Sequence, residues 1–118
     1  MRGVIENAAE GQDFYLLLGD FLDAFYRAGA LARQAMIDAR PGDNAPGLLP
    51  YAAAAAHKLA NDYGLAVPAW VFEKRCYSAR PFFGCRARSN LRLLFMYQSP
   101  AEFKHRNLFV DENVLARV

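Results

Sequence analysis

The sequence predicts an all-α fold: an irregular bundle of four to five helices with a long loop rich in aromatic and basic residues. Three observations predict it. An apolar stripe recurs at the helical period over residues 12–27, an alanine run occupies 52–56, and Pro-Gly clusters separate the periodic stretches. At 118 residues the chain has the length of one domain, read as 1–118. Its 54% apolar and 14% aromatic content fills a core and argues against a disordered chain.

The clearest helix covers residues 12–27, where Phe14, Leu17, Leu18, Phe21, Leu22 and Phe25 form one stripe. Tyr15, Leu16 and Tyr26 widen its apolar surface, so this helix is expected to be central and packed on more than one side. Gly29 breaks the pattern. A second helix runs to about Arg40 with Leu31, Ala32, Ala35, Met36 and Ala39 on one face, and Pro41-Gly42-Asp43-Asn44 stops it. The third enters near Leu48 and ends at Tyr63, with Gly64 placed as a left-handed cap. Its contact face reads Leu49, Ala52, Ala53, Ala56, Ala60 and Tyr63, with His57, Lys58, Asn61 and Asp62 mainly opposite.

Residues 65–90 are irregular. Pro68, Pro81, Gly84 and five aromatics leave room for one short helical turn at 69–74. A loop this long is uncommon unless it is functional or pinned by large side chains. A fourth helix follows from Ser89, with Leu91, Leu94, Phe95 and Gln98 on one face. Ser99-Pro100-Ala101-Glu102 then spells a serine cap, a first-turn proline and a capping box. Phe103 anchors that short helix, residues 108–110 are extended, and Asp111 caps a last turn.

Charge is nearly balanced at +2 overall, which excludes a histone-like tail or an acidic solvating segment. Residues 1–72 nevertheless carry five basic against eight acidic side chains, whereas 73–92 carry six basic ones against Glu73 alone. Such asymmetry marks candidate interaction surface. No apolar run reaches the roughly 18 residues of a membrane span and no signal pattern opens the chain, so a soluble, cytoplasmic protein without membrane contact is expected.

Chemistry-bearing motifs are sparse. Cys76 and Cys85 lie too far apart for a zinc pair, which favours ligands two to four residues apart, and read as free thiols. His57 and His105 are remote from each other in sequence and fit no catalytic motif; Asp20 and Asp23 read as a wet helix face. No phosphate loop or dinucleotide fingerprint occurs. No cofactor, metal or catalytic set is therefore expected, and the chain reads as a non-enzyme. The feature with chemical content is the segment 74–92. Its partner-binding candidates are Lys74, Arg75, Tyr77, Arg80, Arg86 and Arg88, interleaved with Phe82 and Phe83. Guanidinium forks and aromatic faces suit an acidic protein surface or a nucleic-acid backbone. The same pattern also fits rings buried in the core with arginines paired to the acids of 1–72. A homodimer through the alanine face and burial of that face within one chain fit the third helix equally.

Residues 62–71 carry a "YGL-x-x-P-x-W" turn, and the tail from Ser99 follows "SP-x-x-F-(basic)-x-R-x-(I/L)-F-(V/I)-x-x-x-x-L-x-R". Together they resemble small bacterial helical proteins that look like antitoxin partners of nucleotidyltransferase-type toxins. Similar tails follow DNA-binding helix-turn-helix domains in some regulators, but no such domain precedes the tail here. The resemblance implies a non-enzymatic protein that binds and masks a protein partner, such as a toxin encoded nearby. It brings no catalytic residue; the matching positions are Tyr63, Gly64, Pro68, Trp70, Ser99, Pro100, Phe103, Arg106 and Phe109.

Overall fold

A computed structural model describes residues 1–83, 96 and 98–116. The chain is mostly helical, as expected. Helices α1 (Arg2–Ala9), α2 (Phe14–Arg27), α3 (Ala30–Asp38) and α4 (Leu49–Asp62) are followed by 3-10 turns at Ala69–Phe72 and Lys74–Cys76 and by a short α5 (Ala101–Lys104). Strands β1 (Phe82–Phe83) and β2 (Leu108–Phe109) pair in parallel, Phe82 opposite Leu108 and Phe83 opposite Phe109. Residues 108–109 are thus extended as read, whereas the partner strand lies inside the stretch read as irregular. The helix expected from Ser89 lies outside the described residues, save Met96 and Gln98, which are helical.

Helix α1 has no counterpart in the sequence reading. Only Val4 and Ile5 of its eight residues are buried, too few to print a period. Asp13 then caps α2, its carboxylate accepting from the amides of Tyr15 and Leu16 at 2.9 and 3.1 Å. The buried side of α2 is the expected one: Phe14, Leu18, Leu22 and Phe25. Its other side is open, with Tyr15 57% and Leu16 71% exposed, so α2 is not the central helix.

That place belongs to α4. Ala52 through Ala56 are all fully buried. Five successive residues, each turned by about 100°, point in every direction around the axis, so α4 is sheathed on all sides there. Tyr63, read as part of its contact face, is instead 43% exposed beyond the helix end. Gly64 adopts φ +66°, and Leu65 N–H returns to Ala60 O at 2.9 Å, the expected left-handed cap.

The face read for α3 is corrected. Ile37 is buried and Leu31 is 91% exposed. Arg33 sets the rotation: it donates to the last carbonyls of α2, Phe25 O at 2.9 Å and Tyr26 O at 3.0 Å. Its guanidinium lies over the rings of Phe25 and Tyr63, at 5.2 and 4.7 Å. Helix α3 thereby turns Leu31 outward.

Ser99 is a second correction. No side chain caps α5, whose preceding residue is Pro100. Ser99 is buried and its hydroxyl bridges the strand instead, donating to Leu108 O at 3.0 Å and accepting from Val110 N at 3.3 Å. Asp111 does cap the last turn, accepting from Asn113 N at 2.8 Å. Tyr26 donates to Leu115 O at 2.8 Å and pins that turn to α2.

Candidate functional site

Arg106 is the largest fully buried side chain among the described residues. The turn leaving α5 delivers it: Asn107, at φ +67°, reverses the chain into β2 and leaves Arg106 pointing beneath α4. Its guanidinium donates to Val71 O at 2.9 Å, to Glu102 O at 2.9 Å and to His57 Nδ1 at 3.1 Å. Tyr77 and Phe72 present ring faces at 5.0 and 5.9 Å. No carboxylate forms an ion pair with it among the described residues, and its Nε is buried without a partner there. Burial pulls its pKa below the ordinary arginine value.

A donor-only guanidinium fixes the state of His57. Nδ1 must accept, so the imidazole is neutral with its proton on Nε2. Burial and then the Arg106 charge hold the His57 pKa below the usual histidine value, against a smaller opposing pull from Glu102. Its ring meets Phe72 edge-on at 5.1 Å, while His105 meets Tyr77 at 5.8 Å. The two histidines, remote in sequence, line one open cavity of about 440 Å³ with Asn61, Ala101, Glu102 and Lys104. Sequence reading missed this cluster because 49 residues separate its halves; the tail pattern named Arg106 but nothing pointed to His57.

The predicted basic segment divides between inside and outside. Arg75 is only 19% exposed along its side chain and is spent within the fold. It bonds Glu73 at 2.6 Å, Asp43 at 2.7 Å, and the carbonyls of Pro41 and Gly42 at 2.7 and 3.0 Å. Glu73 also accepts from Nε and Nη2 of Arg40 at 2.8 and 3.0 Å. Those two arginines, Arg40 first, hold the Glu73 carboxyl below its usual range. Tyr77 is half-buried on Arg106 and His105, whereas Lys74 and Arg80 are exposed. Arg86 and Arg88 lie outside the described residues, as does Cys85. Cys76 is a buried free thiol that donates to Trp70 O at 3.4 Å, and burial pushes its pKa up, which disfavours thiolate chemistry. Among the described residues no three His, Cys, Asp or Glu side chains could hold a metal ion. No helix among them is long and apolar enough to cross a membrane.

Beyond Tyr77 the segment reaches a second cavity, of about 90 Å³, lined by Phe14, Tyr15, Leu48, Tyr51, Ser78, Phe82 and Leu108 among others. Tyr51 lines it and makes edge-on contacts to Phe14, Tyr15, Phe82 and Phe103 between 5.2 and 6.3 Å. Burial drives the Tyr51 phenol pKa strongly upward, so it stays a neutral donor. Tyr15 and Phe82, 57% and 36% exposed, are the aromatic lining residues most open to solvent and form its mouth. Ser78 donates to Arg80 O at 2.6 Å, which fixes the turn carrying Arg80 to this side. Compared with known protein families, curated proteins and solved structures, the chain matches none.

Proposed function

We propose that this chain is a non-enzymatic protein-interaction module, an antitoxin-like or regulatory partner that binds and masks another bacterial protein. The observation that carries the reading is the aromatic pocket of about 90 Å³ with Tyr15 and Phe82 at its mouth and the exposed Arg80 on the adjoining turn. Protein interfaces concentrate their energy in such anchors, where an apolar side chain fills a pocket and tyrosine or arginine surrounds it. The pocket takes one apolar side chain of the partner. The exposed Arg80 favours an acidic rim beside it. The resemblance of the tail to antitoxin partners supports the same reading.

The nucleic-acid alternative draws less support, because Arg75 has its guanidinium committed to Glu73, Asp43 and two carbonyls rather than free for phosphate. The test is co-expression with the product of the adjacent gene, followed by pull-down and a growth assay. The expected result is a complex that suppresses the partner's toxicity and weakens about tenfold or more when Tyr15→Ser and Phe82→Ser are combined, which corresponds to at least about 1.4 kcal/mol. No complex, or a complex indifferent to both substitutions, overturns the proposal. Steeply salt-dependent binding to nucleic acid that is lost on Arg86→Ala with Arg88→Ala would put the alternative in its place.

A further inference from the structure

The contact between Arg106 and His57 joins three parts of the fold. Helix α4 supplies the imidazole, the turn at Ala69–Phe72 supplies Val71 O and the Phe72 ring, and α5 with the turn after it supplies the guanidinium and Glu102 O. The guanidinium carries only donors, so the His57 bond exists only while Nδ1 bears no proton. A proton there sets two N–H groups and two positive charges against each other across 3.1 Å. The ring has somewhere to go, since His57 lines the open cavity beside it.

We propose that His57 and Arg106 form an acid-sensitive latch: protonation of His57 breaks its bond to the buried guanidinium and loosens α5, with the turn that leads into β2, from α4. The latch stands on this geometry and does not depend on how the aromatic pocket is used.

The charges facing His57 decide the direction. From α5 and its exit come Arg106 and His105, which resist protonation, and Glu102, which favours it more weakly than burial and Arg106 oppose it. Lys104 lines the same cavity. The 69–77 stretch offers the Phe72 and Tyr77 rings. On α4 itself Lys58 and Asp62 pair at 2.6 Å. The folded state therefore binds its proton later than the unfolded chain does. Stability is full above the unfolded histidine value near 6.5 and falls as pH drops below it, until folded His57 itself protonates. The loosening reaches β1, because the Phe82 amide donates to Asn107 O at 3.0 Å, one residue beyond Arg106.

His57→Gln is the discriminating variant, since its amide oxygen accepts from Arg106 and never titrates. Thermal unfolding and amide hydrogen exchange at Phe82 are followed from about pH 7 to about pH 5. In the wild type the midpoint falls by several degrees and exchange at Phe82, corrected for its intrinsic pH dependence, accelerates. In His57→Gln both changes shrink, while His105→Gln keeps them. An equal acid response in wild type and His57→Gln, or no response in either, overturns the latch. Should His57→Gln fail to fold, imidazole NMR titration of the wild type decides: His57 titrates below the ordinary histidine value, and titration at or above it refutes the proposal.

Discussion

Replacing Ala54 by Leu tests whether α4 is buried on every side. The sequence pattern leaves Ala54 and Ala55 off the contact face, where a larger apolar side chain should be tolerated. The structure leaves Ala54 fully buried within five successive buried alanines, none of which lines either cavity described above. With room to spare, three added carbons would contribute about 2.4 kcal/mol at about 0.8 each. Without it, overpacking of a closed core costs about 1–3 kcal/mol. At about 4 °C per kcal/mol for a domain of this size, the two cases differ in sign: a rise of about 10 °C against a fall of about 4–12 °C. Circular dichroism during heating reads the midpoint, with Leu31→Ala as the exposed control, expected to stay within about 0.5 kcal/mol. A midpoint for Ala54→Leu that holds or climbs would refute the all-round burial of α4.

Two further outcomes follow from the polar contacts. Ser99→Ala should cost about 1–3 kcal/mol in chemical denaturation, because the buried Leu108 carbonyl and Val110 amide lose their shared partner. Loss of helix signal with β2 protection intact would point to a cap after all. Glu73 has its folded pKa held below the unfolded value of 4.5, so it stabilises the fold above that value and ceases to do so as pH falls through the folded one. Glu73→Gln should therefore flatten the acid limb below about pH 4.5 while leaving the His57 window above it unchanged, and a denaturation series across both windows separates the two.

Much of the backbone was legible because local signals and tertiary context agree there. The stripe of α2, the glycine cap at Gly64 and the Asp111 turn each depend on neighbours within a few residues. The failures share a cause: a distant partner outbids the local rule. Ser99 precedes Pro100 as a cap should, yet its hydroxyl meets two backbone groups about ten residues on. Leu31 belongs to an apolar face until Arg33 is drawn to the end of α2. Helix α1 prints no signal of its own, its two buried residues finding their complement in the fold. The site shows the same limit. Composition singles out Lys74, Arg75, Tyr77 and Arg80, but it does not separate an arginine tied to Asp43 from one facing water.

That separation changes what the basic stretch does. Arg75 binds the loop at 41–43 to the turn at 73–76, and Tyr77 roofs the Arg106 guanidinium, so two of the candidates hold the segment in place. Held at both points, the chain arrives at Ser78 and Phe82 in a fixed position on the aromatic pocket. β2 secures the far end through the pairing of Phe82 with Leu108 and the stacking of Phe83 on Phe109 at 5.2 Å. A surface ordered before it meets a partner loses less conformational entropy on binding. For the proposed interface, the segment would therefore contribute first preorganisation, through Arg75 and Tyr77, and only then charge complementarity, through the exposed Arg80.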